Sequence, residues 1–370
     1  MKMTQDRRMD RPLLAATLAL LFLGLVMVYS SSSFMADQRY ENPYYFLMRQ
    51  AGAILLGLLL MVGIANINYR RIERLATPFL FCAIALLVAV LIPGIGAKIG
   101  GARRWLHGPG FNFQPAEIAK IAIVIYAASL MGRNGERVRE SIVAIIPVVV
   151  IAGLVGLLML GQPDFGSAAM VMALVVTMLF VAGMKLRYLG YGVLAAFPVV
   201  VALIASSAYR RSRILAFLDP WESRTGTGYQ IVQSFLAFGA GGWHGVGLGD
   251  GQQKLMYLPE AHTDFIFSVV GEELGLIGVV ITVALYGVII WRGVRIALQA
   301  SSPFGTYLAV GVTTLVALQA IMNMGVVMGL LPTKGLTLPL VSYGGSSMVM
   351  SLFAIGLLLA IGARSAAERR

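Results

Sequence analysis

Long apolar runs separated by short polar segments make up most of this chain. Each run is long enough to cross a hydrocarbon core of about 30 Å as a helix. The ten predicted spans lie near residues 13–33, 48–66, 77–93, 114–131, 142–161, 165–184, 188–208, 264–291, 304–330 and 346–363. The pattern predicts an all-α polytopic membrane protein with one domain over residues 1–370 and a long loop, 209–263, before the eighth helix.

Basic residues in the short segments predict which side of the membrane each segment faces, because cytoplasmic loops carry an excess of Lys and Arg. Most of them lie in the N-terminal arm, in alternate loops and in the C-terminal tail: Lys2, Arg7, Arg8, Arg11, Arg70, Arg71, Arg74, Arg133, Arg137, Arg139, Lys185, Arg187, Arg292, Arg295, Arg364, Arg369 and Arg370. The loop with Lys98, Arg103 and Arg104 is an exception. We therefore expect both termini in the cytoplasm and the loop 209–263 on the extracytoplasmic side, where long loops are exempt from this rule.

Composition excludes several classes of protein. The chain is 58% hydrophobic and 12% charged, whereas soluble domains carry about 25% charged residues. The net charge of +12 does not indicate nucleic-acid binding, because the basic residues flank apolar spans. Cys82 is the only cysteine, which excludes a disulfide or a cysteine-built metal site within the chain. The Gly-rich run 239–249 lacks the strand-to-helix context of a nucleotide loop, so we expect no nucleotide.

Six acidic residues lie at or inside a predicted membrane boundary: Glu117, Asp164, Glu260, Asp264, Glu272 and Glu273. Ionisable groups at that depth are costly and indicate functional sites with charged partners. Glu117 and Lys120 share a helix face, where they form an internal salt bridge or act directly in catalysis, and their spacing does not decide between the two. Asp164 follows a tight turn and is expected to cap the next helix.

The pair Glu272 and Glu273 requires a cationic partner, with Lys120 or Lys334 as candidates. Asp264 lies where the long loop enters the eighth span. A carboxylate half in water and half against apolar residues has a raised pKa and suits a general base. The alternative is a helix N-cap, which the spacing alone favours. His262 is a candidate ligand or proton carrier, although a lone loop histidine is more often a hydrogen-bonding residue.

Basic residues on the predicted outer side form a second set: Arg103, Arg104, Arg210, Arg211, Arg213, Arg224, Lys254 and Lys334. Positive charge there is tolerated in a long loop or binds an anion, and phosphate is a natural candidate because Arg contacts it in a bidentate manner. Two prolines and a glycine interrupt the helical pattern in 331–339. Non-helical backbone at membrane depth is buried in protein or lines a cavity. The sequence therefore predicts a cleft between the last two spans and the long loop.

Several of these segments carry motifs that resemble a known family. They are FQPAEIAK (113–120), GQPDFG (161–166), GYQIVQS (228–234), LPEAHTDFIF (258–267) and LPTKGLTLPLVSYGGSS (331–347). Together with the ten-span pattern, they resemble the SEDS family (shape, elongation, division and sporulation) over essentially the whole chain. The 331–339 segment and DPWE (219–222) look like the division branch of that family.

The resemblance implies a peptidoglycan glycosyltransferase that polymerises lipid II, a disaccharide-pentapeptide on undecaprenyl pyrophosphate, with Asp264 as the catalytic base. The residues expected to bind substrate or to support the site are Glu117, Lys120, Arg210, Arg213, Glu260, His262, Glu273, Lys334 and Ser342. A divalent cation, Mg²⁺ or Mn²⁺, is a possible cofactor, with no ligands assigned. Expected partners are a class B penicillin-binding protein and other division membrane proteins, at the septum of a bacterial inner membrane.

Two alternative functions fit the same residues. A lipid II flippase also fits broken helices and buried charges, but few charged residues besides flanking arginines lie in the cytoplasmic half. A non-catalytic scaffold predicts that substitution of Asp264 is harmless to polymerisation. Within the family, the elongation branch is the alternative to the division branch.

Overall fold

The computed structural model describes residues 9–99, 102–108, 111–135 and 137–368. Lys2, Arg7, Arg8, Arg369 and Arg370, which contribute to the predicted orientation, lie outside the described residues. The helices are α1 (Arg11–Tyr40), α2 (Tyr45–Asn66), α3 (Tyr69–Arg74), α4 (Ala76–Leu91), α5 (Pro115–Asn134), α6 (Arg137–Glu140), α7 (Ile146–Gly161), α8 (Phe165–Val181), α9 (Leu186–Ala205), α10 (Ala208–Leu218), α11 (Tyr229–Gly241), α12 (Ile266–Leu298), α13 (Pro303–Val327) and α14 (Gly345–Glu368).

Ten of these helices coincide with the ten predicted spans. Within the described ranges, seven are long and apolar enough to cross a membrane: α1, α2, α5, α9, α12, α13 and α14. The apolar helices α4, α7 and α8 are shorter, with 16, 16 and 17 residues. The prediction of an all-α polytopic membrane protein is confirmed.

Both described ends of the chain lie at the same end of the helix bundle. Asp10 caps α1 by accepting a hydrogen bond from the Leu13 amide at 3.1 Å, and its carboxylate also pairs with Arg292 of α12 at 2.6 Å. Arg70 pairs with Glu368, near the end of α14, at 3.2 Å. We call this end the terminal face, and the other end, where α1 stops and α2 starts, the distal face.

A small antiparallel sheet interrupts the helices between α4 and α5. Its strands are β1 (Gly96–Ile99), β2 (Ala102–Gly108) and β3 (Phe111–Phe113), in the order β1-β2-β3. The sequence pattern predicts only a basic loop in this stretch. Arg104 of β2 donates to the backbone carbonyls of Gln162, at 3.0 Å, and Pro163. The sheet is thereby held against the start of α8.

The long loop 209–263 is largely helical and partly packed in the bundle. It contains most of α10, all of α11 and a π-helical turn at Gln253–Tyr257. On α11, Ser234 donates to the Val327 carbonyl at 2.5 Å, and its Oγ lies 2.7 Å from the Ser268 Oγ. Helix α11 therefore packs against the bundle within the long loop, which the apolar pattern did not indicate. Its 13 residues are too few to be recognised as a span, for which about 20 are needed.

Gly275 divides α12 into two helices, 266–274 and 276–298. Its φ of 63° and ψ of −161° are not helical. A Cβ there would lie 2.3 Å from the Gly245 amide nitrogen, so only glycine fits. The amides of Leu276 and Ile277 donate instead to the carbonyls of Gly242 and Trp243. The second part alone is about 34 Å long, which is enough to span a membrane. The first part, which we call the α12 N-half, is therefore not needed for the span and lies at the distal face.

Candidate active site

Asp264 lies in a turn immediately before the α12 N-half. The amides of Thr263 and Phe265 both donate to the Glu260 carbonyl, at 3.1 and 3.2 Å. Phe265, not Asp264, is the N-cap residue of α12, and no side chain caps this helix. The N-cap alternative for Asp264 is therefore wrong. Its half-buried carboxylate accepts no hydrogen bond from any side chain or amide in the described part of the chain.

This environment changes the acidity of Asp264. Burial raises the pKa of its carboxyl group to about 7, and the negative charges of Glu260 and Asp164 act in the same direction. The cationic side chains of Arg213 and Arg104 act against this rise. A carboxylate with a pKa near neutrality can take up and release a proton at physiological pH.

The non-helical segment between α13 and α14, residues 331–344, includes the predicted break at 331–339 and runs directly beside Asp264. We call it the broken segment. A Cβ on Gly335 would lie 2.9 Å from the Asp264 Oδ2, so glycine permits this close approach. Ser342 donates to the Thr263 carbonyl at 2.6 Å, and the Tyr343 amide donates to the His262 carbonyl at 2.9 Å. The broken segment therefore contacts the end of the long loop through these hydrogen bonds, and the cleft expected at this place stays a prediction.

Three basic side chains lie on elements that adjoin this turn, and the charges of two of them, Arg213 and Arg104, act on Asp264. Arg213 of α10 donates to the Thr333 carbonyl at 2.8 Å, and Arg104 of β2 to the carbonyls before α8. The Lys334 Nζ lies 4.9 Å from the centre of the Phe165 ring. Burial lowers the pKa of Lys334, and the Asp164 charge opposes this effect. These side chains bring positive charge near the Asp264 carboxylate, but their hydrogen bonds go to other groups and not to its oxygens.

Glu117 and Lys120 form the predicted salt bridge, at 2.8 Å, and both side chains are buried. Lys120 also lies 3.4 Å from the Gln319 Oε1. Gln319 in turn donates to the Thr337 carbonyl and to the Ser347 hydroxyl, both at 3.3 Å. The pair therefore supports the broken segment from beneath, through a buried polar network.

Glu273, at the end of the α12 N-half, has a cationic partner that was not predicted. Lys254 lies 2.7 Å from its carboxylate, so the expectation of Lys120 or Lys334 is wrong. Ser30 donates to the same carboxylate at 2.7 Å, and the Gly249 amide at 3.2 Å. The chain folds back after Gly245 and brings Lys254 beside α12. Glu272 accepts from the amides of Gln252 and Gln253, at 2.8 and 3.2 Å.

The remaining predicted residues have structural contacts. Asp164 caps α8 as predicted, accepting from the Ser167 amide at 3.1 Å and from its hydroxyl at 2.7 Å. Arg210 donates to the Leu203 carbonyl at 2.7 Å. The His262 ring lies between Phe46 and Tyr343, and burial lowers its pKa against the effect of Glu260. The imidazole is therefore neutral at neutral pH.

The residues around Asp264 do not form a ligand set for a divalent cation. Among the described residues, no three Asp, Glu, His or Cys side chains are grouped so that they could hold a metal ion. The nearby Asp164 oxygens accept from Ser167, and the Glu260 Oε2 accepts from Thr263. Hard cations need several carboxylate or carbonyl oxygens, whereas the neighbours of Asp264 include cationic side chains.

Comparisons with known proteins place the whole chain in one family. A family profile for FtsW, RodA and SpoVE, described as cell cycle protein, matches residues 11–367. A protein of Geobacter metallireducens named probable peptidoglycan glycosyltransferase FtsW is 47% identical over 98% of this chain and 97% of its own length.

Solved structures agree with this result. One described as the structural coordination of polymerization and crosslinking by a peptidoglycan synthase complex has a TM-score of 0.79 at 32% identity, over 96% of this chain and 98% of that chain. The rod shape determining protein RodA of Thermus thermophilus gives a TM-score of 0.70 at 29% identity, over 96% of each chain. Because both kinds of relative cover nearly all of the sequence, this protein belongs to the FtsW, RodA and SpoVE family of cell cycle proteins, which is the SEDS family that its motifs resemble.

Proposed function

We propose that this protein is a peptidoglycan glycosyltransferase of the division type, which polymerises lipid II into glycan strands during septal wall synthesis. The observation that carries the proposal is the carboxylate of Asp264, with a pKa of about 7 and no hydrogen-bond donor among the described residues. Relatives that are 47% and 48% identical are named FtsW, which favours the division branch over the elongation branch.

In the proposed reaction, Asp264 is the general base. It takes the proton of the 4-hydroxyl group on the acceptor's N-acetylglucosamine, and the oxygen attacks the anomeric carbon of the donor strand. The bond from that carbon to the pyrophosphate oxygen breaks, and its electron pair leaves with undecaprenyl pyrophosphate. Attack from the face opposite the leaving group inverts the configuration at the anomeric carbon.

The leaving pyrophosphate carries negative charge that the site must stabilise. The charges of Arg104 and Arg213 act on Asp264, and Lys334 precedes Gly335, which lies beside the Asp264 carboxylate. Fixed positive charge at a leaving phosphate lowers the barrier. Burial lowers the pKa of Lys334, and an anion bound beside it would raise that pKa again. We assign charge compensation to these side chains and not to a divalent cation, because the acidic residues near Asp264 do not form a ligand set for such an ion.

The proposed location is the bacterial inner membrane, with the terminal face in the cytoplasm and the distal face outside. Basic residues at the terminal face, including Arg70, Arg292 and Arg364, support this orientation. Lipid II would then be used on the outer side. A class B penicillin-binding protein is the proposed partner, together with other division membrane proteins, and the similar peptidoglycan synthase complex supports that pairing.

A reconstituted polymerisation assay tests the proposal. The purified protein is combined with its penicillin-binding partner and lipid II, with other polymerases inhibited, and glycan chains are separated by length. Asp264→Asn removes the base with little change in shape. Asp37→Asn makes the same substitution on an exposed turn of α1 at the same face and is the matched control.

We expect long glycan chains from the wild-type protein and from Asp37→Asn, and none from Asp264→Asn, with all three assembled equally well with the partner. Polymer from Asp264→Asn at the wild-type rate would contradict the base assignment. If the wild-type protein makes no polymer but moves lipid II between leaflets of a vesicle, the flippase alternative replaces the proposed function.

A further inference from the structure

One buried side chain links the Asp264 turn directly to the broken segment. Asn323 lies on α13, four residues before that helix ends, and is 2% exposed. Its Nδ2 donates to the Asp264 carbonyl at 2.8 Å and to the Leu336 carbonyl at 2.6 Å. The two carbonyls belong to chain segments more than seventy positions apart, so one amide group determines their separation.

The chemistry of this contact specifies asparagine. Two backbone carbonyls need two donors on one atom, which the amide nitrogen supplies. If the amide group of Asn323 were flipped, its Oδ1 would face two carbonyl oxygens, and acceptors do not bond to acceptors. The two carbonyls therefore fix the orientation of the amide. The Oδ1 is buried and has no partner among the described residues. Buried polar atoms are normally satisfied, and an exception in a native fold calls for an explanation beyond stability.

We propose that Asn323 is a positioning residue that holds the Asp264 turn at a fixed distance from the cation-bearing part of the broken segment. This inference rests on the proposed function of Asp264. Lys334 and Gly335 precede the carbonyl that Asn323 holds, and Gly335 lies against the Asp264 carboxylate, since a Cβ on it would be 2.9 Å from the Oδ2.

Other contacts do not replace this link. Ser342 and Tyr343 bind the carbonyls of Thr263 and His262, so they hold the turn from the far end of the broken segment. Without Asn323, these contacts keep the turn attached, but the Asp264 backbone is free to shift relative to Lys334. A displacement of about 1 Å in an active site can cost about 10²-fold in rate. The loss should therefore appear in kcat and not in substrate binding.

Steady-state polymerisation of lipid II by the complex with the penicillin-binding partner tests the inference. Asn323→Leu removes both donors and keeps the size of the side chain. Asn323→Asp keeps the shape and puts a carboxylate against the two carbonyls. Thr313→Val is the control, because Thr313 is buried on the same helix and its hydroxyl bonds only to the Ala309 carbonyl within that helix. We measure kcat, KM, the thermal midpoint of the complex, and the pH dependence of kcat.

The expected result is a fall in kcat of roughly 30-fold to 100-fold for both Asn323 variants. The KM should stay near wild type, and Thr313→Val should be unchanged. The thermal midpoint of both Asn323 variants should fall, because two buried carbonyls lose their donor, but the fall in kcat among assembled complexes should exceed what the loss of folded protein explains. In Asn323→Leu, the freed turn is better hydrated, so the acidic limb of the pH profile should move to lower pH. A general loss of stability does not move that limb.

A wild-type kcat in both Asn323 variants would overturn the inference. So would a parallel loss of kcat and thermal midpoint with an unmoved acidic limb, or failure of both variants to assemble, since Asn323 would then support only the fold. These outcomes differ from failure of the proposed function, in which the wild-type complex itself makes no polymer or Asp264→Asn keeps its activity.

Discussion

The two ends of the α12 N-half hold carboxylates in opposite environments. Asp264 and Glu273 are nine residues apart, about 13 Å along a helix. Glu273 is fully engaged: Lys254, Ser30 and the Gly249 amide all contact its oxygens. Asp264 is tied down only through its backbone, by Asn323 at its carbonyl, and its carboxylate has no donor among the described residues.

This difference is the one that the proposed function requires between a structural carboxylate, Glu273, and a reactive one, Asp264. The oxygens of Glu273 form a buried ion pair with Lys254 and accept from Ser30 and the Gly249 amide. These contacts hold the loop after Gly245 against α1 and α12, so the oxygens are not available to a substrate. The Asp264 carboxylate pairs with no cation directly, and burial brings its pKa to about 7. Partner contacts, more than depth in the membrane, distinguish the two roles. The comparison predicts that their substitutions fail in different ways.

The largest expected effect is on the rate of polymerisation in Asp264→Asn. General-base catalysis contributes about 10²-fold to 10⁴-fold, so the single-turnover rate with lipid II should fall by that factor. The thermal midpoint should not fall, because the carboxylate makes no stabilising contact in the described part of the chain. A lower midpoint with a proportionate loss of rate would make Asp264 structural and remove the contrast with Glu273.

Glu273→Gln should show the converse result. Removing one partner of a buried ion pair costs about 3–5 kcal/mol, here because Lys254 stays buried and loses the carboxylate in direct contact with it, with Glu272 left as a more distant counter-charge. We expect a lower thermal midpoint and easier proteolysis in the folded-back loop. Molecules that remain folded should keep a near-normal single-turnover rate. If these molecules lose catalysis as completely as Asp264→Asn, Glu273 acts in the reaction.

A combined substitution, Glu273→Leu with Lys254→Met, should recover most of the stability that Glu273→Gln loses. Replacing both members of a buried ion pair by apolar residues is often neutral or stabilising. Ser30 and the Gly249 amide lose an acceptor, so full recovery is not expected. The thermal midpoints of the single and combined variants measure this. A double variant less stable than Glu273→Gln would show that the cluster needs its charges.

The smallest expected effects are shifts of the Asp264 pH profile in opposite directions. Glu260 raises the pKa of Asp264, so Glu260→Gln should move the acidic limb of the rate profile to lower pH. Arg213 lowers that pKa, so Arg213→Gln should move the limb to higher pH. The measurement is kcat against pH for each variant. Shifts of the same sign would rule out these charges as the cause.

The helices could be predicted from the sequence because the length of an apolar run is a local property. The sheet and α11 could not, since both depend on distant partners. Gly96 of β1 pairs with Leu106, and the short α11 is held by Ser234, which contacts Ser268 and the Val327 carbonyl. No local pattern indicates such contacts.

The same limit applies to the site. Asp264 was predictable because a carboxylate at a loop-to-helix boundary is conspicuous among apolar residues. Lys254 could not be matched to Glu273, because the fold-back at Gly245 and the kink at Gly275 bring the two together. Asn323 lies inside an apolar run, and its two carbonyl partners belong to distant parts of the sequence. The residues next to Asn323 therefore do not indicate these contacts.

The most direct measurement is the pH dependence of the single-turnover rate of the wild-type complex, from about pH 5 to about pH 9. The base must lose its proton before it can accept another from the acceptor hydroxyl, so the rate should rise with pH and level off above an apparent pKa of about 7. Asp264→Asn should show no such limb in its residual rate. An apparent pKa near the ordinary aspartate value of about 4, or an unchanged limb in Asp264→Asn, would contradict the claim that Asp264 is the base.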